Sequence, residues 1–342
     1  MQSNIKKNIK FKKKAIFLIE ADNIIGFGHL NRCHLLAEIF HKNNYECYIF
    51  GINKKLITKN FYKNVFQKFP IHKKKIDLDF IKKKINSNNF FLIIDTFKIN
   101  YHIQKILLQQ KIKWIQFDNF QNRNKIYSDV IINANPLVKK KDYIKRLHKK
   151  KRQVFLLGKK YLILRDEFKK NYKKKSKFIL ICSGGGLEDN NFTYVVLKTI
   201  LKIYNFENII VILQKNDPRE ILLNSLKFGT NKVKFIKKNK NISKFFAHSK
   251  IVYLSGGTIL IESLFYDLKR YACSIAENQI KNCLAWQKLG FVNYLGNLSN
   301  DKLNQIKINN KISNSFINKN KILNKKFLSG KNLIFKRINK II

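Results

Sequence analysis

Three times in this chain a short apolar run, β-branched or aromatic, ends in a glycine-rich turn that opens directly into a helical pattern: at residues 26–32, 183–186 and 255–258. Strand, glycine turn and helix together are the unit of a parallel sheet with helical crossovers. The alternation continues between the turns. Residues 15–21 read as a first strand and 30–41 as the helix after it, with further strands at 47–50, 90–95, 113–117 and 130–133. After the basic stretch 139–153 a new apolar run begins at 154–157, followed by a strand at 177–182, a helix at 192–204, strands at 208–213 and 250–254, and a helix at 259–266. At 342 residues the chain is too long for one ordinary core, and it suits two α/β domains of roughly 150 residues each. The expected fold is therefore α/β, two Rossmann-like domains facing each other across a cleft. Residues 1–153 form the first domain in this reading, 154–315 the second, and 316–342 a basic C-terminal tail. Within that tail, 328–342 reads as one amphipathic helix, either packed on the body or lying on a membrane surface.

Charge bears on the partners. Against 21 Asp and Glu stand 70 Lys and Arg, a formal net charge of +49, which by itself points to nucleic acid or an anionic membrane. The excess is mostly lysine, spread over the whole length beside abundant Asn, Ile and Phe. All four have A/T-rich codons, and codon bias accounts for the pattern better than a nucleic-acid role. Arginine clusters, or aromatics interleaved with basic residues on one sheet face, would mark a dedicated binder. No nucleic-acid partner is expected, although any anionic substrate would be attracted. The five cysteines, Cys33, Cys47, Cys182, Cys273 and Cys283, are odd in number and include no C-x-x-C pair, which fits a reducing compartment and argues against zinc. Apolar runs such as 90–94 fall far short of the roughly 20 residues that cross a bilayer. Residues 1–14 are basic without the apolar core of a signal peptide. The expectation is a cytoplasmic monomer without stable membrane insertion, metal or cofactor.

The turn Gly26-Phe27-Gly28-His29-Leu30-Asn31-Arg32 is the most informative stretch. Its glycines let the backbone turn tightly and approach a ligand, and the helix that follows presents N–H groups and a partial positive charge to an anion. A helix N-terminus disfavours the imidazolium, so His29 is expected neutral and able to accept a proton. Capping the helix or bonding a loop carbonyl is the ordinary alternative, and the flanking glycines favour the chemical one. Arg32 either contacts a phosphate or pairs with a surface acid. The turns containing Gly184 and Gly185, and Gly257 and Thr258, stand where α/β sheets bind phosphates. Thr258 either donates to a phosphate or caps its helix, and Glu262, one turn on, either accepts from ribose hydroxyls or is a solvated helix acid. None of the three turns matches the G-x-x-x-x-G-K-[ST] phosphate loop. Asp95 and Asp118 end predicted strands, where they either face a cleft, orienting a sugar or holding His29, or merely cap loops. Asp77-Leu78-Asp79 has the form of a metal-binding pair but follows a lysine run, which favours an N-cap.

In order along the chain these motifs resemble the UDP-2,4-diacetamido-2,4,6-trideoxy-β-L-altropyranose hydrolase family of the pseudaminic acid pathway, a relative of GT-B glycosyltransferases. The match runs through Ile25-Gly26-Phe27-Gly28-His29 with Arg32, Ile94-Asp95, Phe117-Asp118, Leu157-Gly158 with Tyr161, Leu164-Arg165-Asp166-Glu167-Phe168, Gly184-Gly185, residues 255–262 and Asn278-Gln279. The resemblance implies a GT-B fold and a UDP-sugar substrate. Water activated by His29 would attack the anomeric carbon, the second-domain turn and Glu262 would hold the nucleotide, and Asn278 would line the sugar site. Two positions depart from the family pattern. Glu20 stands where an arginine ends the first strand, and Thr96 and Phe97 follow Asp95 where a tyrosine is common. A glycosyltransferase on the same scaffold and a basic nucleic-acid-binding protein are the competing expectations.

Overall fold

The computed structural model describes residues 13–21, 28–52, 71–72, 83, 89–96, 99–118, 125–147, 153–169, 172, 177–184, 191–237, 241–298, 308–312 and 321–342. Among them the strands make two sheets, all parallel. The first contains β1 (Lys13–Ala21), β2 (Tyr45–Ile52), β3 (Ile71–His72), β4 (Phe90–Asp95), β5 (Trp114–Phe117), β6 (Val130–Asn133) and β7 (Val154–Leu157), in the order β3-β2-β1-β4-β5-β6-β7. The second contains β8 (Phe178–Cys182), β9 (Asn208–Leu213), β10 (Lys232–Lys237), β11 (Ser249–Ser255), β12 (Lys269–Ser274) and β13 (Asn293–Asn297), in the order β10-β9-β8-β11-β12-β13. Each sheet winds outward from its first strand and then restarts on that strand's other side. This places one topological switch between β1 and β4 and another between β8 and β11, where open α/β sheets take their ligands.

The strands are apolar on both faces because helices cover both. All five residues of β8 are buried, as are the last five of β4. The helices are α1 (Gly28–Lys42), α2 (Tyr101–Gln109), α3 (Phe192–Ile203), α4 (Arg219–Asn224), α5 (Ile242–His248), α6 (Thr258–Ser263), α7 (Glu277–Lys288) and α8 (Gly330–Ile338). In α1 the buried Leu30, Cys33, Leu36, Ala37 and Phe40 recur at three- and four-residue intervals and meet Ala15, Phe17 and Ile19 of β1 in one core. No helix among the described residues is long and apolar enough to cross a membrane.

Two expectations about organisation need correction. The run 154–157 does not open the second half. It pairs with β6 from Val130↔Val154 to Asn133↔Leu157 and closes the first sheet. Strand β6 is buried at every position, and its backbone groups need a partner on each edge. Part of the basic excursion before β7 is a short 3-10 helix, Lys140–Arg146, that works as a crossover rather than a linker. The chain passes to the second sheet only between β7 and β8. The C-terminal segment, set apart as a tail, takes the body-packed one of its two readings. Ile334 and Ile338 of α8 lie in the same core as α1, and the Phe335 ring sits edge-on to Phe40 at 4.9 Å. Tyr45 Oη donates to Asn339 Oδ1 at 2.6 Å, and Lys13 Nζ donates to the Ile342 carbonyl at 2.6 Å. The mixture of basic and apolar residues there is the mark of a helix with one face in a core. At Gly330 it presses on the segment between β7 and β8, where a Cβ would stand 2.2 Å from the carbonyl oxygen of Leu162.

Candidate active site

The two switch points meet. Gly28 begins α1 and Thr258 begins α6, and a Cβ on Gly28 would lie 3.3 Å from Thr258 Oγ1. Nearby, Asn135 Nδ2 of the first half donates to the carbonyl of Lys281 on α7 at 3.3 Å. Glycine is what permits the approach of α1 to α6, since a side chain at position 28 would press on the threonine.

On the first half, β4 runs beside β1 with Ile19 opposite Asp95, so Asp95 reaches the sheet edge where α1 starts. Its carboxylate is 1% exposed and gathers α1's first turns around it. His29, 8% exposed, has Nδ1 at 2.9 Å from the Asp95 carbonyl and 3.1 Å from Asp95 Oδ1. Arg32 donates through Nε and Nη2 to the two carboxylate oxygens, at 2.5 Å each, and Cys33 Sγ lies 3.5 Å from Oδ2. The Arg32 guanidinium also lies over the Phe117 ring at 4.9 Å. Burial works against the Asp95 charge, but its interactions with Arg32 above all, and with His29 and Cys33, outweigh it and hold the acid below the ordinary carboxylate range. Burial, followed by the Asp95 charge, drives the Cys33 thiol well above its ordinary value, which keeps it a neutral donor. Arg32 thus pairs with an acid, as one of its two readings has it, but the acid is the buried one that also holds His29.

Asp118 has a different surrounding. It accepts from Arg146 Nη1 at 2.9 Å and Nη2 at 3.0 Å, and its backbone N–H bonds to the Ile132 carbonyl. Arg146 lies over Tyr143, whose hydroxyl accepts from Asn133 Nδ2 at 2.9 Å. These contacts fit the loop-fastening reading of Asp118.

On the second half, Gly184 follows β8 with a φ of +97°, a conformation that L side chains rarely adopt. Its carbonyl accepts from Gln214 Nε2 at 3.1 Å. Ser255 Oγ donates to the Ser183 carbonyl at 2.6 Å, which ties the two glycine turns together. A Cβ on Gly256 would come within 2.3 Å of Cys283 Sγ, so α7 packs directly beneath the turn. From α7, Asn282 Nδ2 donates to the Gly256 carbonyl at 3.3 Å. Gln279 Nε2 lies 3.7 Å from where a Cβ of Gly257 would be, while its Oε1 accepts from the Ile275 N–H at 3.0 Å. Asn278 Oδ1 is buried with no hydrogen-bond partner among the described residues. Glu262, 4% exposed, is no solvated helix acid: both its oxygens accept from Arg165, at 2.9 and 2.8 Å.

The structure thus brings Gly28, His29, Arg32 and Asp95 together on one side, and Gly184, Gly257, Thr258, Glu262, Asn278 and Gln279 on the other. Gly26, Phe27, Gly185, Gly186, Asp77 and Asp79 lie outside the described residues. Arg165 and Arg146 escaped notice as partners of the site acids because neither has a local signature in so basic a sequence. Only the position of Arg165 inside a family-like motif could have singled it out. At the family-divergent positions, Thr96 Oγ1 donates to Glu20 Oε2 at 2.9 Å across the first switch.

Two Rossmann-type sheets with facing switch points, and a final helix returned to the first half, make this a GT-B fold. Solved structures agree. MurG of Acinetobacter baumannii superposes with a TM-score of 0.59 at 12% identity, over 96% of this chain and 99% of that one. A UDP-glucosyltransferase from Polygonum tinctorium gives 0.58 at 10% identity, over 95% and 98%. Anabaena HepE, in complex with UDP and glucose, gives 0.54 at 11% identity, over 95% of each chain. No protein-family profile matches the chain. By sequence it is 28% identical over 297 residues to an uncharacterised protein of Methanocaldococcus jannaschii, covering 83% of this chain and 58% of that relative's length. It is also 24% identical over 287 residues to the UDP-2,4-diacetamido-2,4,6-trideoxy-β-L-altropyranose hydrolase of Campylobacter jejuni, covering 81% of this chain and 97% of that enzyme. The second relative supports the resemblance drawn from the motifs.

Proposed function

We propose that the protein hydrolyses a UDP-linked diacetamido-trideoxy sugar at its anomeric carbon, releasing UDP and the free sugar for nonulosonic (pseudaminic) acid synthesis. The observation that carries this is the bond from His29 Nδ1 to Asp95 at a switch point facing the turn at 255–258. With the Nδ1 hydrogen directed at Asp95, the imidazole lone pair is on Nε2, the form that takes a proton from water. The water oxygen bonds to C1 as the bond from C1 to the diphosphate oxygen breaks. UDP leaves with that electron pair, the proton passes to Nε2, and the Asp95 carboxylate stabilises the imidazolium. UDP is a stabilised anion, so one base does work for which ordinary glycosidases need two carboxylates.

Gly184 and Gly257, with Gly185, would present backbone N–H groups to the diphosphate, Thr258 its hydroxyl, and Glu262 would accept from the ribose. Such donors meet the diphosphate charge without metal or cofactor. Asn278 Oδ1, an acceptor without a partner among the described residues, suits an acetamido N–H. The name of the Campylobacter relative supports hydrolysis, and the UDP and glucose held by Anabaena HepE support a nucleotide sugar in this fold. A second reading, transfer to an acceptor hydroxyl by the same base, is favoured by the UDP-glucosyltransferase among the similar structures.

Incubation of the purified protein with a small panel of UDP-amino sugars, with and without acceptors, tests both. UDP released into water alone is the expected result. Release that requires an acceptor would give the second reading, and no release in either arm overturns the proposal.

A further inference from the structure

The segment between β7 and β8 contributes a side chain to the second half's site. Arg165 donates through Nε to Glu262 Oε1 at 2.9 Å and through Nη2 to Oε2 at 2.8 Å. Its remaining terminal nitrogen, Nη1, meets Glu167 Oε1 at 2.6 Å, and the guanidinium lies over the Phe168 ring at 5.0 Å. Burial works against its charge, and Glu262, with smaller help from Glu167 and Cys182, more than offsets that. All three guanidinium nitrogens are thus engaged by the carboxylates of Glu262 and Glu167. Its backbone is fixed as well, since Asp166 next to it accepts from the buried Lys331 of α8 at 2.7 Å.

Glu262 lies four residues after Thr258 and so on the same side of α6, and Thr258 faces Gly28 across the two halves. An ionised carboxylate has about four lone-pair directions. A two-pronged guanidinium uses two of them, which fixes the plane of the group and leaves the others for hydroxyl donors. A glutamate side chain otherwise has several rotatable bonds, and its burial without a cation would be costly.

We infer that Arg165 is a positioning residue for nucleotide recognition: it holds Glu262 in one orientation, so that the glutamate reads the ribose hydroxyls of the donor. This rests on the UDP-binding role proposed above for Glu262. Lysine at 165 keeps the charge but lacks the fork, so it restores the function only in part.

Binding of UDP and of 2′,3′-dideoxy-UDP, measured by calorimetry on the full chain, separates this role from a merely structural one. The wild type is expected to prefer UDP by about tenfold or more, the value of a hydrogen bond to a charged group. In Arg165→Ala the preference falls toward one, with affinity for the dideoxy nucleotide nearly unchanged. Arg165→Lys is intermediate, and Arg165→Ala adds nothing further in a Glu262→Ala background. Circular dichroism melts confirm folding, and if Arg165→Ala does not fold, Arg165→Lys and Glu262→Gln carry the same comparison. A wild type that binds UDP while Arg165→Ala or Arg165→Lys keeps full discrimination overturns the inference alone, as does an equal loss for both nucleotides. A wild type that binds neither nucleotide overturns the UDP role and the inference with it.

Discussion

Asp95 and Asp118 stand at the ends of neighbouring parallel strands, β4 and β5, and each accepts both prongs of an arginine. One is a candidate catalytic group and the other fastens a loop. Position separates them. Asp95 sits at the switch between β1 and β4, where the chain's first crossover helix begins, so a histidine in that helix's first turn reaches it. Asp118 is one strand away, and what reaches it is Arg146 from the crossover toward β7, with Tyr143 under the guanidinium. A buried Asp–Arg pair is therefore weak evidence of chemistry, and its place in the topology decides what it serves.

The sharpest way to break this contrast is His29→Ala. UDP release should fall by about 10²- to 10⁴-fold, the usual contribution of a general base, while calorimetry still detects UDP binding. Near-normal turnover would remove the base and with it the special standing of Asp95. Next comes the pair itself. Asp118→Asn should cost about 3–5 kcal/mol of stability, as breaking a buried ion pair does, with kcat unchanged in the folded fraction. Asp95→Asn should cost a similar amount and lose turnover as well. Equal turnover losses in both variants would erase the distinction.

A smaller effect tests the second half. The β-carbon of Gly256→Ala would meet Cys283 Sγ, so the variant should lose about 1–3 kcal/mol from overpacking and bind UDP more weakly, as read by urea melts and calorimetry. Unchanged affinity would mean that α7 does not set the turn.

The gentlest test is acid. The Asp95 pKa is lower in the folded protein than its ordinary value of about 3.9. Its contribution to stability is thus complete above that value and is lost as pH falls through the folded pKa. The stability gap between wild type and Asp95→Asn should accordingly narrow below about pH 4. A gap that stays constant down to pH 2 would show that the carboxylate's charge is not what holds the pair.

Much of the scaffold was legible. The strands read at 90–95, 130–133 and 208–213 coincide with β4, β6 and β9, because strands buried on both faces are written as unbroken apolar runs. Less of the second half's edge was. Strand β10, Lys-Val-Lys-Phe-Ile-Lys, has lysines at three of its six positions, and α7 has little apolar periodicity because its packing on Gly256 uses Cys283, Gln279 and Asn282. Arg270 is fully buried, donating to the carbonyls of Ser263, Tyr266, Phe291 and Lys321. In a chain with 70 basic residues, nothing local marks it as different from a surface one.

From the residues alone came the α/β class, the glycine turns and the histidine at a helix start, all properties of contiguous segments whose local propensity and periodicity agree. Tertiary structure alone decided that β7 and α8 belong to the first half, that Arg32 and His29 share Asp95, and that Arg165 holds Glu262. The side-chain pairings join residues 63 to 97 apart in the chain, and the last helix comes back onto the first. No local preference encodes such partners. They follow from strand order and from the requirement that each buried charge find a counter-charge.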